Sequence, residues 1–281
     1  MKILLTGREG QVGWELQRSL VALGDVVATD RREFDLCDSN AIRRIVRKTS
    51  PDIIVNAAAY TAVDSAESEP DVAMQVNAVA PGILAEEAKL LGALLVHYST
   101  DYVFDGSKKS PYKEEDAPNP LSVYGRSKLE GEQAIAASKC RHLIFRTSWV
   151  YGSRGRNFLL TILKAAHEKP ELRVVDDQFG APTSSLAIAE ATARALQVRG
   201  AHGLYHMTAG GQTNWFGFAQ TILRNAAIST PVSPIRSDQY PAKATRPRNS
   251  VLDNSRLKGA FGMSLPDWED QLEQVMAEVL R

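Results

Sequence analysis

Tyr124 and Lys128 stand four residues apart in the stretch Ser122-Val-Tyr-Gly-Arg-Ser-Lys128. On a helix that spacing puts a phenol and an ammonium on one face, one turn from each other. A free tyrosine titrates near ~10. A neighbouring cation favours the phenolate and lowers that value, so the phenol can exchange a proton with a substrate oxygen near neutral pH. Alone, Tyr-x-x-x-Lys is more often a half-buried tyrosine beside a solvated lysine. Two further features argue for chemistry here. One is a glycine-rich turn at the extreme N-terminus, and the other is Ser99-Thr100-Asp101, directly after an apolar run that reads as a strand.

The glycine turn follows the strand pattern Lys2–Thr6 and runs Gly7-Arg-Glu-Gly10-Gln-Val-Gly13 into a helical pattern. Glycines permit a tight turn and close approach of backbone to phosphate, and the helix N-terminus offers amides and a positive dipole end. The strand–turn–helix context is the one that gives such a motif meaning. Gly7, Gly10, Gln11, Val12 and Gly13 are therefore the expected cradle of a dinucleotide. Asp30 closes the next strand pattern, near the ~20-residue offset at which an acid meets the adenosine ribose. Arg31 and Arg32 follow at once. An acid favours NAD and arginines the extra phosphate of NADP, so the pattern predicts relaxed preference between NADH and NADPH. As a plain alternative, the two arginines are a solvated charge pair.

These groups need a scaffold. Strand-like runs at Lys2–Thr6, Val26–Thr29, Asp52–Asn56, Ala93–Tyr98 and His142–Arg146 alternate with helical patterns over Gln11–Leu23, Ala41–Lys48, Val72–Leu91 and Tyr124–Ala137. This alternation predicts an α/β fold, a Rossmann-like doubly wound parallel sheet with helices on both faces. Ligands of such sheets bind beyond the carboxyl ends of the strands. The glycine turn, Asp30, Ala57–Thr61, Thr100 and Thr147–Trp149 all fall there. After about residue 150 the pattern changes: helices at Asn157–Glu168, Ser185–Val198 and Pro266–Leu280, short strands at Leu172–Val175 and Leu204–Met207, and a Pro-, Ser- and Arg-rich loop at Pro231–Pro247. The expected division is a dinucleotide-binding domain of residues 1–149 and 177–200, with a smaller C-terminal substrate-binding lobe of 150–176 and 201–281.

Thirty-three Lys plus Arg balance 33 Asp plus Glu among 281 residues, which argues against a nucleic-acid protein driven by phosphate neutralisation. Cys37 and Cys140 lie far apart in no metal-like spacing. No apolar run approaches the ~20 residues of a membrane helix, and the first residues run straight into a strand without a signal pattern. The expectation is a cytoplasmic protein with no membrane partner.

Gly7–Gly13, Asn56-Ala-Ala-Ala59, Ser99-Thr100-Asp101 and the Tyr124/Lys128 pair resemble the extended short-chain dehydrogenase/reductase family. Its sugar-nucleotide reductase branch is matched further by Gly10–Leu16, Asn56–Ala66, Tyr98–Phe104, Phe145–Tyr151, Asp177–Thr183, Gly203–His206 and Arg246–Ser250. The resemblance implies NAD(P)H-dependent reduction of the C4 keto group of a dTDP-sugar, dTDP-4-dehydro-L-rhamnose, for polysaccharide synthesis. It casts Tyr124 as proton donor, Lys128 as its electrostatic partner and ribose ligand, and Thr100 as a hydrogen-bond donor to the same oxygen. Asp101 and Trp149 would contact the sugar nucleotide. Asp35, Leu36, Ala59, Tyr60 and Thr61 would line the cofactor, and Arg246 and Arg248 are candidates for the diphosphate. Some members dimerise around Mg2+ held by helix carboxylates, and Glu15 matches one such position, so a homodimer with Mg2+ belongs to the implied set. Dehydratases of the family carry Asp-Glu after the threonine, whereas here Tyr102 follows Asp101. An epimerase, a reductase of opposite C4 outcome and a non-catalytic cofactor-binding subunit are the other readings.

Overall fold

The computed structural model describes residues 1–281. β1 (Lys2–Thr6) passes through the glycine turn into α1 (Gln11–Ser19), followed by β2 (Asp25–Thr29), α2 (Ser39–Thr49) and β3 (Ile53–Asn56). Two short helices, α3 (Val63–Ala66) and α4 (Pro70–Met74), lead through a π-helical turn at Gln75–Val79 into α5 (Ala80–Leu91). β4 (Leu94–Thr100), α6 (Val123–Ser138) and β5 (Arg141–Thr147) complete the alternation. The strands pair in parallel in the order β5-β4-β3-β1-β2, the doubly wound α/β arrangement expected. They are largely apolar because both faces are covered. Leu4, Ile54, Leu95 and Ile144 pack with α2, α5 and α6 on one side. Ile3, Leu5, Val55, Val96 and Phe145 pack with α1 and a later helix on the other.

The helix expected over 72–91 is interrupted. Pro81 has no N–H to give to the Asn77 carbonyl four residues back, and a wider turn is the local response. Gly131 of α6 sits so close to that carbonyl oxygen that a Cβ would lie 2.1 Å from it. The turn and the glycine together let α5 and α6 approach.

Beyond β5 come β6 (Val150–Tyr151), α7 (Phe158–Glu168), β7 (Leu172–Val175), β8 (Phe179–Gly180), β9 (Thr183–Ser184) and α8 (Ser185–Ala195). α8 returns to the sheet, where its alanines pack beside α1. β10 (Gly203–His206) then becomes the sixth strand, parallel to β5. Residues 201–281 were expected in the lobe, yet this strand belongs to the sheet. Without it the ladder edge of β5 would present unpaired backbone groups. β11 (Thr213–Asn214), α9 (Trp215–Asn225), β12 (Val232–Ile235), α10 (Ser255–Phe261) and α11 (Trp268–Val279) finish the chain. β12 lies inside the segment expected as loop. It pairs in parallel with β7, and Pro234 is tolerated because each strand of a two-stranded sheet is an edge. α7, α9 and α11 enclose a separate core of Tyr151, Leu159, Phe218, Ile222 and Leu272, which forms the lobe.

Candidate active site

A cleft of about 1430 Å³ opens beyond the carboxyl ends of the strands. Its floor at β1 is the glycine turn. Gly7 has φ +77°, and a Cβ there would press on the Ala58 backbone at 2.8 Å. The Arg8 amide donates to the Thr29 carbonyl at 3.0 Å, tying the turn to the end of β2. Gly10 precedes α1, whose start has no side-chain cap and no acid in its first turn. The first-turn amides and the positive end of the helix dipole are thus left for a ligand. Gly7, Gly10, Gln11 and Val12 line the cleft. Gly13 does not, contrary to expectation. A Cβ on it would lie 2.0 Å from the Gly7 carbonyl oxygen, so its role is to let α1 fold back against the turn.

The Asp30 carboxylate accepts from the Arg32 amide at 2.8 Å and from Arg8 Nη2 at 2.8 Å. Those backbone bonds, with Arg8, hold it below the usual carboxylate range. Arg31 and Arg32 are exposed on the rim of the same cleft. Asp35, Leu36, Ala59, Tyr60 and Thr61 also line it. Asn77, placed by the π-helical turn, fixes Tyr60 from both sides: Oδ1 accepts from the Tyr60 amide at 2.9 Å, and Nδ2 donates to its carbonyl at 3.0 Å. The Tyr60 hydroxyl donates to Glu69 at 2.8 Å.

Across the cleft, Ser122 caps α6 by accepting from the Gly125 amide at 3.1 Å. A Cβ on Gly125 would stand 2.3 Å from the Tyr102 carbonyl oxygen, so glycine lets α6 close on the turn after β4. That brings Tyr124 and Lys128 beside Thr100 and Asp101, and all four line the cleft. Thr100 Oγ1 donates to Asp101 Oδ1 at 3.0 Å. Asp101 Oδ2 is buried and has no partner. Burial pushes this carboxyl up to about 7. The Tyr102 ring meets the Tyr124 ring edge-on, with centroids 5.9 Å apart.

The expected lowering of the Tyr124 phenol is not what the protein alone produces. Burial pushes it up to about 12, with the Thr100 hydroxyl drawing it down. Lys128, 2% exposed, is brought down to about 8 by burial, opposed by Glu132. Its Nζ lies 3.1 Å from His97 Nε2, a contact that spacing along the chain does not reveal.

Trp149 lines the cleft in a left-handed conformation, φ +49°. Its indole stacks on Trp215 at 3.6 Å and 5° and presses on Gly180, where a Cβ would lie 2.5 Å away. Trp215 carries no sequence signal of a site and is recruited by this stack. Arg246 is not free for a diphosphate. Its guanidinium donates to both Asp64 oxygens, at 3.2 and 2.7 Å. Arg248 is exposed and lines a second, polar cavity with Lys108, Lys109 and Arg236. Glu15 is buried beside Arg18 at 3.9 Å. No three His, Cys, Asp or Glu side chains of the chain gather to hold a metal, so the Mg2+ suggested by the resemblance finds no support.

The phosphate cradle at α1 and the proton-handling side chains at β4 and α6 are separated by β3 in the sheet order. A ligand that uses both must lie extended across the strand ends, as a dinucleotide does. By fold and site the chain is an extended short-chain dehydrogenase/reductase. The profile described as RmlD substrate binding domain matches residues 1–281, and the chain belongs to that family. It is 52% identical to a dTDP-4-dehydrorhamnose reductase of Burkholderia thailandensis, with 95% of each chain covered. A crystal structure of a dTDP-4-dehydrorhamnose reductase from Clostridium acetobutylicum superposes with a TM-score of 0.97 at 37% identity, covering all of both chains. A Bacillus anthracis dTDP-4-dehydrorhamnose reductase in complex with NADP superposes with a TM-score of 0.94 at 35% identity and 99% coverage of each.

Proposed function

We propose that this protein reduces the C4 keto group of dTDP-4-dehydro-L-rhamnose to give dTDP-L-rhamnose, using NADPH or NADH. The observation that carries the reading is the convergence of Tyr124, Lys128, Thr100 and Asp101 on the cleft that also holds the glycine cradle. The full-length match to relatives named for this reaction, one of them bound to NADP, supports it. When bound, the reduced nicotinamide supplies the hydride.

The rest is done by the chain. Gln11 and Val12 at the start of α1 offer amides to the diphosphate of the cofactor, Gly7 and Gly10 form the turn that lets it approach, and Asp30 and the arginines around it meet its adenosine end. Tyr124, kept neutral by burial, donates its proton to the C4 oxygen as charge develops there. Lys128, one helical turn away and still largely ammonium at neutral pH, stabilises the phenolate that remains. Thr100 donates to the same oxygen once its hydroxyl proton turns away from Asp101 Oδ1. Asp101 Oδ2, lacking a partner, accepts from a sugar hydroxyl. Trp149 on Trp215 forms a flat wall for the sugar nucleotide, and Arg248 with Lys108 and Lys109 meets its diphosphate. The lobe residues 150–176 and most of 207–281 thus carry substrate recognition. The same reading places the protein in the cytoplasm, where the reduced cofactor is found, and includes a homodimer. No helix is long and apolar enough to cross a membrane.

The test is cofactor oxidation with dTDP-4-dehydro-L-rhamnose, followed by absorbance, with Tyr124→Phe alongside. Turnover that falls about 10²–10⁴-fold in the variant, with dinucleotide binding kept, supports the assignment, and product NMR fixes the C4 configuration. Wild-type protein that binds NADPH and leaves the keto sugar unreduced would overturn it.

A further inference from the structure

Three adjacent strands carry polar side chains that lie in one row. Thr6 of β1 is in register with Asn56 of β3, and Asn56 with His97 of β4. Each is 1% exposed. The next residue in the row, Ile144 of β5, is apolar, so the row stops at His97. Thr6 Oγ1 lies 2.6 Å from Asn56 Oδ1, and Asn56 Nδ2 lies 3.0 Å from His97 Nδ1. From His97 the contacts leave the sheet through Nε2, 3.1 Å from Lys128 Nζ.

Buried parallel strands favour apolar residues, and burying polar side chains is costly unless each is bonded. With the Asn56 amide turned over, the row supplies a neutral acceptor to a buried ammonium. The ionisable groups that act on Lys128 are Glu132 on α6 and His97 on β4, with Tyr124 and Asp101 lining the same cleft. Glu132 is taken by Arg146 of β5 in a two-fold ion pair of 2.9 and 2.7 Å. That leaves His97 as the side chain in hydrogen-bond contact with Nζ.

The chemistry of each group constrains the direction of the row. An ammonium only donates. Nε2 must then accept, the ring must carry its proton on Nδ1, and Asn56 must turn its carbonyl to His97 and its NH2 to Thr6. The amide as placed has the opposite sense, Thr6 donating to Asn56 Oδ1 and Asn56 Nδ2 donating to His97 Nδ1; there the ring proton sits on Nε2 and Lys128 must be an amine. The two senses differ by a proton shift and an amide flip, and an amide's O and N are nearly alike in shape. Each protonation state of Lys128 thus has its own sense of the row.

We propose that His97, backed by Asn56 and Thr6, is a positioning residue that holds Lys128 Nζ in the cleft it shares with Tyr124 and, with the Asn56 amide turned over, favours its ammonium form. The proposal rests on Tyr124 and Lys128 being the catalytic pair. Burial alone works against the ammonium, and the imidazole acceptor counters it.

The test compares His97→Leu, which removes the acceptor, with His97→Gln, whose Oε1 reaches the place of Nε2. His97→Met, close in volume to histidine, replaces the leucine variant if that does not fold. Lysine ¹³Cε titration of the cofactor-free protein, assigned with Lys128→Met, reads the ammonium directly, and the pH profile of kcat/KM reads its use. In His97→Leu the Lys128 midpoint falls by about one unit. The alkaline limb of kcat/KM moves down with it, and kcat/KM at neutral pH drops about tenfold or more. His97→Gln restores most of both. A midpoint and limb that stay put in His97→Leu, or a glutamine no better than leucine, overturn the proposal. A midpoint that moves in a protein unable to reduce the keto sugar upholds the role of His97 and overturns the substrate assignment instead.

Discussion

Replacing Asp101 with asparagine should stabilise the folded protein, and more strongly as pH rises. Asp101 is 2% exposed. Its Oδ1 accepts from Thr100 at 3.0 Å, while Oδ2 has no partner. Burial moves the carboxyl from 3.8 to about 7. The folded value is the higher one, so between these values the folded state holds a proton that the unfolded chain has lost. The contribution to stability is intact below the unfolded value and is lost as pH climbs through the folded one. About three pKa units at ~1.4 kcal/mol each come to about 4 kcal/mol by pH 8, of which about 2 kcal/mol is already lost at pH 5. Asparagine keeps the acceptor for Thr100 and has nothing to ionise. Its advantage over the wild type should therefore widen by about 2 kcal/mol between pH 5 and pH 8. Urea unfolding of both proteins at the two pH values, at one ionic strength, measures it. An advantage no larger at pH 8 than at pH 5 would refute the idea that a buried carboxyl is being forced to ionise. Turnover should move the other way, because Oδ2 is the free acceptor in the cleft.

Gly13→Ala places a Cβ 2.0 Å from the Gly7 carbonyl oxygen. Thermal unfolding should show a loss of about 1–3 kcal/mol, and calorimetry a weaker dinucleotide. Glu132→Gln leaves Arg146, itself 2% exposed, as an unpaired buried cation. Chemical denaturation should register about 3–5 kcal/mol, while the apolar double variant Glu132→Leu, Arg146→Met loses much less. Asp30→Ala releases Arg8 from its 2.8 Å ion pair, leaving three guanidinium groups at the adenosine end. The ratio of kcat/KM for NADPH over NADH should then rise about tenfold; an unchanged ratio would separate Arg8 from phosphate recognition.

The alternation of the first 150 residues is legible because buried parallel strands read as largely apolar runs and the helices between them are punctuated by glycine and proline. The cradle, Asp30 and the Thr100–Tyr124–Lys128 set share one reason for being legible: strand ends are where a doubly wound sheet collects its ligands. Helix α9 is not legible. Trp215-Phe-Gly-Phe opens it with poor helix formers, and the helix exists because Asn214 caps it and Phe218 and Ile222 fill the lobe core. β12 hides in a proline-rich stretch, since only its partner β7 makes it a strand. His97 and Asn56 read as polar interruptions of apolar runs. Their meaning comes from register between strands about 40 residues apart, which no local pattern holds. The pKa of Tyr124 could not be read from spacing to Lys128, because burial outweighs the charges around the phenol.

The two faces of the sheet have different histories during synthesis. The buried face that holds Leu4, Ile54, Leu95 and Ile144 draws its fully buried members from residues 4–144, so it can close while the chain is half made. The opposite face, with Ile3, Leu5, Val96 and Phe145, waits for the alanines of α8 and then for Leu257, Met263 and Leu265. At ~5–20 residues per second, that delay is on the order of ten seconds, with one side of the sheet dressed and the other covered only in part, by α1. The nascent form, more than the finished one, is where this chain is open to aggregation, and a truncation between residues 150 and 184 would make that form permanent.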